Sequence, residues 1–158
     1  MEFIRGTITE MQPHAVYEGS IFNQFIVVQT QEHQLYLFDS SYDFTQLKVG
    51  EVYQFIASPI TGKHSFEYSQ TPHLSIDGQM WTGQIIASPR HFEPACCAIA
   101  IPSLLKGVWL PILTTYGVIV LPLKEVLKEL NTTDIVVGNY ITWKSGTLYL
   151  YGVIEEPS

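Results

Sequence analysis

The stretch His91-Phe92-Glu93-Pro94-Ala95-Cys96-Cys97 gathers the residue types from which a hydrolytic zinc centre is built. An imidazole and two thiolates can hold the ion while a nearby carboxylate moves protons. That arrangement needs two residues between the cysteines so that the ligands converge tetrahedrally, and here Cys96 and Cys97 are adjacent. A thiol nucleophile assisted by His91 is the other chemistry within reach. It requires a cationic or helix-N-terminal setting to lower the thiol pKa, and the following AIAIPSLL supplies neither. Both cysteines therefore read as small hydrophobes entering a core. The remaining histidines, His14, His33, His64 and His73, form no i, i+4 pair with one another or with His91, and no glycine-rich phosphate loop occurs. No catalytic residue, metal ligand or cofactor is assigned on these grounds. An enzyme whose site is assembled from distant positions stays as a third reading.

The elements that would position any site come from a chain of 158 residues that is 46% hydrophobic, 13% aromatic and only 15% charged. Ample apolar material and little charge exclude a disordered chain, and the wealth of Val, Ile, Thr and Tyr favours strands. The net charge of −7 opposes generic binding to phosphate backbones or anionic membranes. Residues 1–78 carry Arg5, Lys48 and Lys63 against nine acidic side chains, whereas residues 79–158 carry five basic against six acidic. Contact with a polyanion would thus belong to the second half. The most apolar tract, Ala95 to Leu123, is interrupted by Lys106 and three prolines, which excludes a membrane-spanning helix. No secretion signal is legible in MEFIRGTITE, so a cytoplasmic protein is expected.

Period-2 alternation places strands at Phe3–Glu10, Phe22–Thr30, Gln34–Asp39, Glu51–Pro59 and His64–Gln70. The last two are expected to form a hairpin around Thr61-Gly62-Lys63. The second half repeats the order: a strand at Met80–Ala87, a long connection from Ser88 to Gly107, then strands at Val108–Thr114 and Val118–Leu123. A helix is predicted over Leu123–Leu130, with Val126, Leu127 and Leu130 on one face. Gly138–Lys144 and Thr147–Glu155 are expected to close the chain as a hairpin. Gly6 and Gly83, Ile8 and Ile85, and His14 and His91 recur at matching offsets, and Val49-Gly50 is echoed by Val137-Gly138.

Five strands per half, a glycine early in a long first strand and a helix between strands three and four resemble the OB-fold. The expectation is a mostly β chain of two tandem five-stranded OB-like barrels with one short helix in the second half. Residues 1–70 would form one barrel and 79–158 the other, joined by a linker at 71–78 whose SQTPHLSIDG context is rich in turn formers.

That resemblance implies a ligand face flanked by the loops after strands one and four. In the second half it would collect Arg90, Lys106, Trp109, Trp143, Lys144, Tyr149 and Tyr151 as binding residues, with rings for stacking and cations for a backbone. Three cations are few against 15 carboxylates, so single-stranded nucleic acid is the alternative function and is disfavoured. The leading expectation is a non-catalytic module for protein–protein association, as an adaptor, an assembly subunit or by self-association, with no membrane partner. Tyr36 and Phe38 share one strand face and Tyr53 and Phe55 another. Such rings suit the centre of an interface, where Lys and Glu are disfavoured.

Overall fold

The computed structural model describes residues 2–59, 66–91 and 107–155 and, for the backbone alone, 98–100. The chain is mostly β, as its composition dictates. Strand β1 (Ile4–Pro13) turns Ile4, Gly6 and Ile8 inward and Arg5 and Thr7 outward. A short ribbon of β2 (Val16–Tyr17) and β3 (Ser20–Ile21) follows, then β4 (Gln24–Gln29), β5 (Gln34–Asp39) and β6 (Val52–Pro59). Gly6 is required where β1 crosses β4. A Cβ there would lie 2.5 Å from Val28 Cγ1 and 2.7 Å from the Gln29 carbonyl oxygen.

These strands build a closed barrel, and the strand that closes it is the last in the chain. β1 pairs antiparallel with β4 and β6, and β4 with β5. β14 (Leu148–Glu155) then runs parallel to β5 and antiparallel to β6, which completes the circuit β1-β4-β5-β14-β6. Leu148, Leu150 and Val153 alternate into the barrel interior beside Ile4, Ile26, Leu37 and Phe55. A further strand, β10 (Ala98–Ala100), pairs with the far end of β14.

A second sheet has the strand path β12-β11-β9-β13-β7. Its members are β7 (Glu67–Ser69), β9 (Met80–Ile85), β11 (Trp109–Thr114), β12 (Gly117–Pro122) and β13 (Tyr140–Lys144), with β8 (Ser75–Asp77) beside β9. Gly83 plays the part of Gly6. Its added Cβ would overlap Ile112 Cγ2 and stand 2.9 Å from the Leu113 oxygen. The local hydrogen bonds also recur. Gly50 N donates to Ile8 O and Ile8 N to Glu51 O, while Gly138 N donates to Ile85 O and Ile85 N to Asn139 O. Gly50 and Gly138 both have positive φ, near 93° and 100°, which favours glycine.

Three expectations are corrected. Neither expected hairpin of fourth and fifth strands forms among the described residues: β7 pairs with β13 and β14 with β6, so each strand leaves its sequence neighbour for the other sheet. Burial drives the exchange for β14, because Leu148, Leu150 and Val153 fill the barrel core. The barrel therefore takes four strands from the first half and its fifth from the end of the second. Finally, the predicted helix is a single turn, α1 (Leu123–Val126), continued by turns to Leu130. Pro122 offers no side-chain cap and the segment is far below the length at which helices propagate. Val126 and Leu130 are buried as expected, but Leu127 is exposed. The Thr61-Gly62-Lys63 turn and the Cys96–Cys97 pair lie outside the described residues.

One continuous core joins the two sheets: Trp81, Ile85, Leu110, Ile112, Ile119, Leu121, Ile141 and Trp143 pack with the barrel interior. The outer side of the β11–β12 hairpin is covered as well. Trp109, Val118 and Val120 press on Phe3 and Ile56, with Leu113, Tyr151 and Ile154 alongside. The second sheet thus roofs the β6–β14 wall of the barrel and leaves the β1-β4-β5 wall open. No helix among the described residues is long and apolar enough to cross a membrane.

Candidate functional site

The open wall carries a run of aromatic rings. Strand β4 presents Phe25 outward and β5 presents Tyr36 and Phe38, because the intervening residues Ile26, Leu35 and Leu37 face the core. Register places Phe25 opposite Phe38, with their centroids 4.9 Å apart. Tyr149, brought alongside by β14, meets Phe38 edge-on at 5.2 Å. His14, just past the end of β1, stands edge-on to Phe25 at 5.1 Å. Tyr36 lies 6.5 Å from Phe25 and is 49% exposed. Between β1 and β4, Tyr17 in the β2–β3 ribbon is 67% exposed and Phe22, just after it, 54%.

A buried polar clasp fixes the end of the face. The Asp39 carboxylate accepts from Gln24 Nε2 at 2.9 Å, from Asp43 N at 2.9 Å and from Phe44 N at 3.0 Å, and both Gln24 and Asp39 are buried. Three donors compensate the desolvated carboxylate. Because Gln24 and Asp39 adjoin Phe25 and Phe38 in the chain, the clasp holds the two rings in register.

At its other end the same wall turns polar and enters a cleft of about 750 Å³. Arg5, Thr7, Gln29 and His33 line one side and Thr115 and Tyr116, from the β11–β12 turn, the other. His33 and Tyr116 meet edge-on across it with ring centroids 4.8 Å apart. Among the described residues, no group of three or more His, Cys, Asp or Glu side chains converges in a metal-holding cluster.

The residues expected to bind are distributed over several places. Trp143 is fully buried and stacks on Trp81 at 6.0 Å. Trp109 is buried in the seam between the sheets, 5.2 Å from Tyr151. Burial, and secondarily the proximity of Tyr149, push the Tyr151 hydroxyl above the usual tyrosine pKa. Arg90 is exposed and bridges the Trp109 backbone through paired hydrogen bonds of 2.9 and 2.8 Å. Lys144 is exposed on β13, on the far side of that sheet from Trp143. Lys106 lies outside the described residues. Only Tyr149 joins the open aromatic wall. Sequence reasoning placed Tyr36 and Phe38 on one strand face but missed Phe25 and His14. Phe25 was concealed because its outward neighbour Val27 is also buried, which breaks the alternation along β4.

No protein-family model, curated protein or solved structure matches the chain.

Proposed function

We propose that this chain is a non-catalytic module that binds another protein through the open wall of its barrel. One observation carries the reading: a ladder of rings, with His14 and Tyr36 exposed and Phe25, Phe38 and Tyr149 partly so, lies on the wall that the other described residues leave open. Rings of this kind give much contact area at little entropic cost and dominate interface energetics. The strand order β1-β4-β5-β14-β6 is that of an OB-like barrel, whose ligand face is the side of its second and third strands. Here those strands are β4 and β5. The second sheet repeats the linear order with β9, β11, β12, β13 and β7, and we read the chain as a duplicated module whose fifth strands are exchanged.

The face also has an acidic margin. Glu10 sits opposite Val27, and Glu18 and Glu32 occupy the adjoining loops, within a chain of net charge −7. That margin favours a partner with basic groups around an apolar centre and disfavours a phosphate backbone. Single-stranded nucleic acid binding by the second half gains no support from Trp109 and Trp143, both of which are buried.

Phe38→Ser on the full chain tests the proposal. Partners captured from the native host by the parent and identified by mass should be lost, with affinity reduced about tenfold or more while far-UV dichroism is unchanged. Retention of every partner by the variant sinks the reading. Salt-dependent binding of labelled single strands that fails in the same variant would replace it with the nucleic acid alternative.

A further inference from the structure

We propose that the aromatic face of the barrel docks on the outer β9-β13-β7 wall of a second copy of this chain. This rests on the protein-binding reading above and names the occupant. The chain itself displays how such a face is covered. Thr7 pairs with Gln29 as Gln84 pairs with Leu113, Ile8 with Val28 as Ile85 with Ile112, and Gly6 with Tyr53 as Gly83 with Ile141. Followed along these registers, Phe25, Gln29, Gln34 and Tyr36 occupy the places of Trp109, Leu113, Val118 and Val120. The latter four are packed against Phe3, Ile56 and Ile154 of the barrel wall. One copy of the face is therefore already engaged, and its engagement is sheet on sheet.

The same registers find the counterpart of the covered wall. Phe3, Ile56 and Ile154 correspond to Met80, Lys144 and Glu67 on the second sheet. All three are exposed. The polarity of each face matches that of its wall. The apolar Trp109-Leu113-Val118-Val120 set meets an apolar wall, and the mixed Phe25-Gln29-Gln34-Tyr36 set would meet a mixed one. Lys144 would approach the Tyr36 ring and the Glu10 carboxylate, while Met80 would fill the gap beside Phe25. A half-polar surface of this kind suits reversible association, as the wholly apolar seam suits permanent packing. The contact is heterologous: each chain offers a face to one neighbour and a wall to another.

Sedimentation velocity of the full chain tests this, from low concentration up to about 1 mM, the range in which weak contacts populate. The expected result is a mass that grows with concentration and falls back at high salt. Tyr36→Glu and Lys144→Glu should each return the chain to a monomer, and both alter exposed side chains, so dichroism and thermal unfolding serve as controls for folding. Mixed in equal amounts, the two variants should form dimers and nothing larger, because one retains an intact wall and the other an intact face. A parent that stays monomeric throughout overturns the proposal, as does association insensitive to Lys144→Glu, which would mean face-to-face pairing. If the parent is monomeric yet Phe38→Ser still abolishes capture of a host protein, the binding reading stands and only the choice of occupant falls.

Discussion

Tyr151 shows how a single side chain can report on the seam between the sheets. Its hydroxyl is held above the ordinary tyrosine pKa of 10.0 by burial first and by Tyr149 second. Below pH 10 both folded and unfolded chains keep the proton, and the group contributes no pH dependence. Between pH 10 and the raised folded value the unfolded chain binds fewer protons than the folded one, so stability falls as pH rises. Tyr151→Phe should remove that alkaline loss and leave the profile below pH 9 unchanged, as read from urea midpoints measured across pH. An equal loss in the variant would place the alkaline sensitivity elsewhere. Tyr151 was singled out in the sequence for its alternation with Tyr149, and the two do point outward together. What alternation could not convey is that the wall divides between them, with Tyr149 turned toward Phe38 in the open and Tyr151 roofed by Trp109.

At the scale of elements, most strands were legible, and β4 with β5, like β11 with β12, pair across short turns that fix their registers. The matching glycines were legible too, and at both Gly6 and Gly83 a strand crosses closely over its neighbour. The destination of each fifth strand was not. A period of two states which side of a strand is apolar but is silent on which sheet that side will cover. The exchange carries its own test. Leu150 is buried in the barrel although it follows β13 in the chain. Leu150→Ala should cost about 2–5 kcal/mol. Native-state hydrogen exchange should then show protection lost in β5 and β6, which flank β14, before it is lost in β13. Loss confined to β13 would contradict the pairing.

For the whole molecule, the barrel interior and the inner side of the second sheet belong to one buried cluster. All three tryptophans belong to the second sheet, two inside the core and one at the seam, whereas backbone dichroism reports on both sheets. Tryptophan fluorescence and far-UV dichroism should therefore trace the same denaturant transition, and two separated midpoints would show that the halves melt independently. This unity could not be read from composition or from the SQTPHLSIDG stretch, which looks like a boundary and yet contributes Ser75–Asp77 to the second sheet as β8. The late position of β14 also bears on how the protein is made. When the ribosome has finished β6, the strand that must seal the barrel against it is still about 90 residues from being synthesised, roughly 5–18 s at ordinary elongation rates. Through that interval the unsealed margins of β5 and β6 stand ready to zip onto any passing strand, so a nascent-chain chaperone or a fast-translating host should raise the yield of native molecules more than it would for a barrel whose strands emerge consecutively.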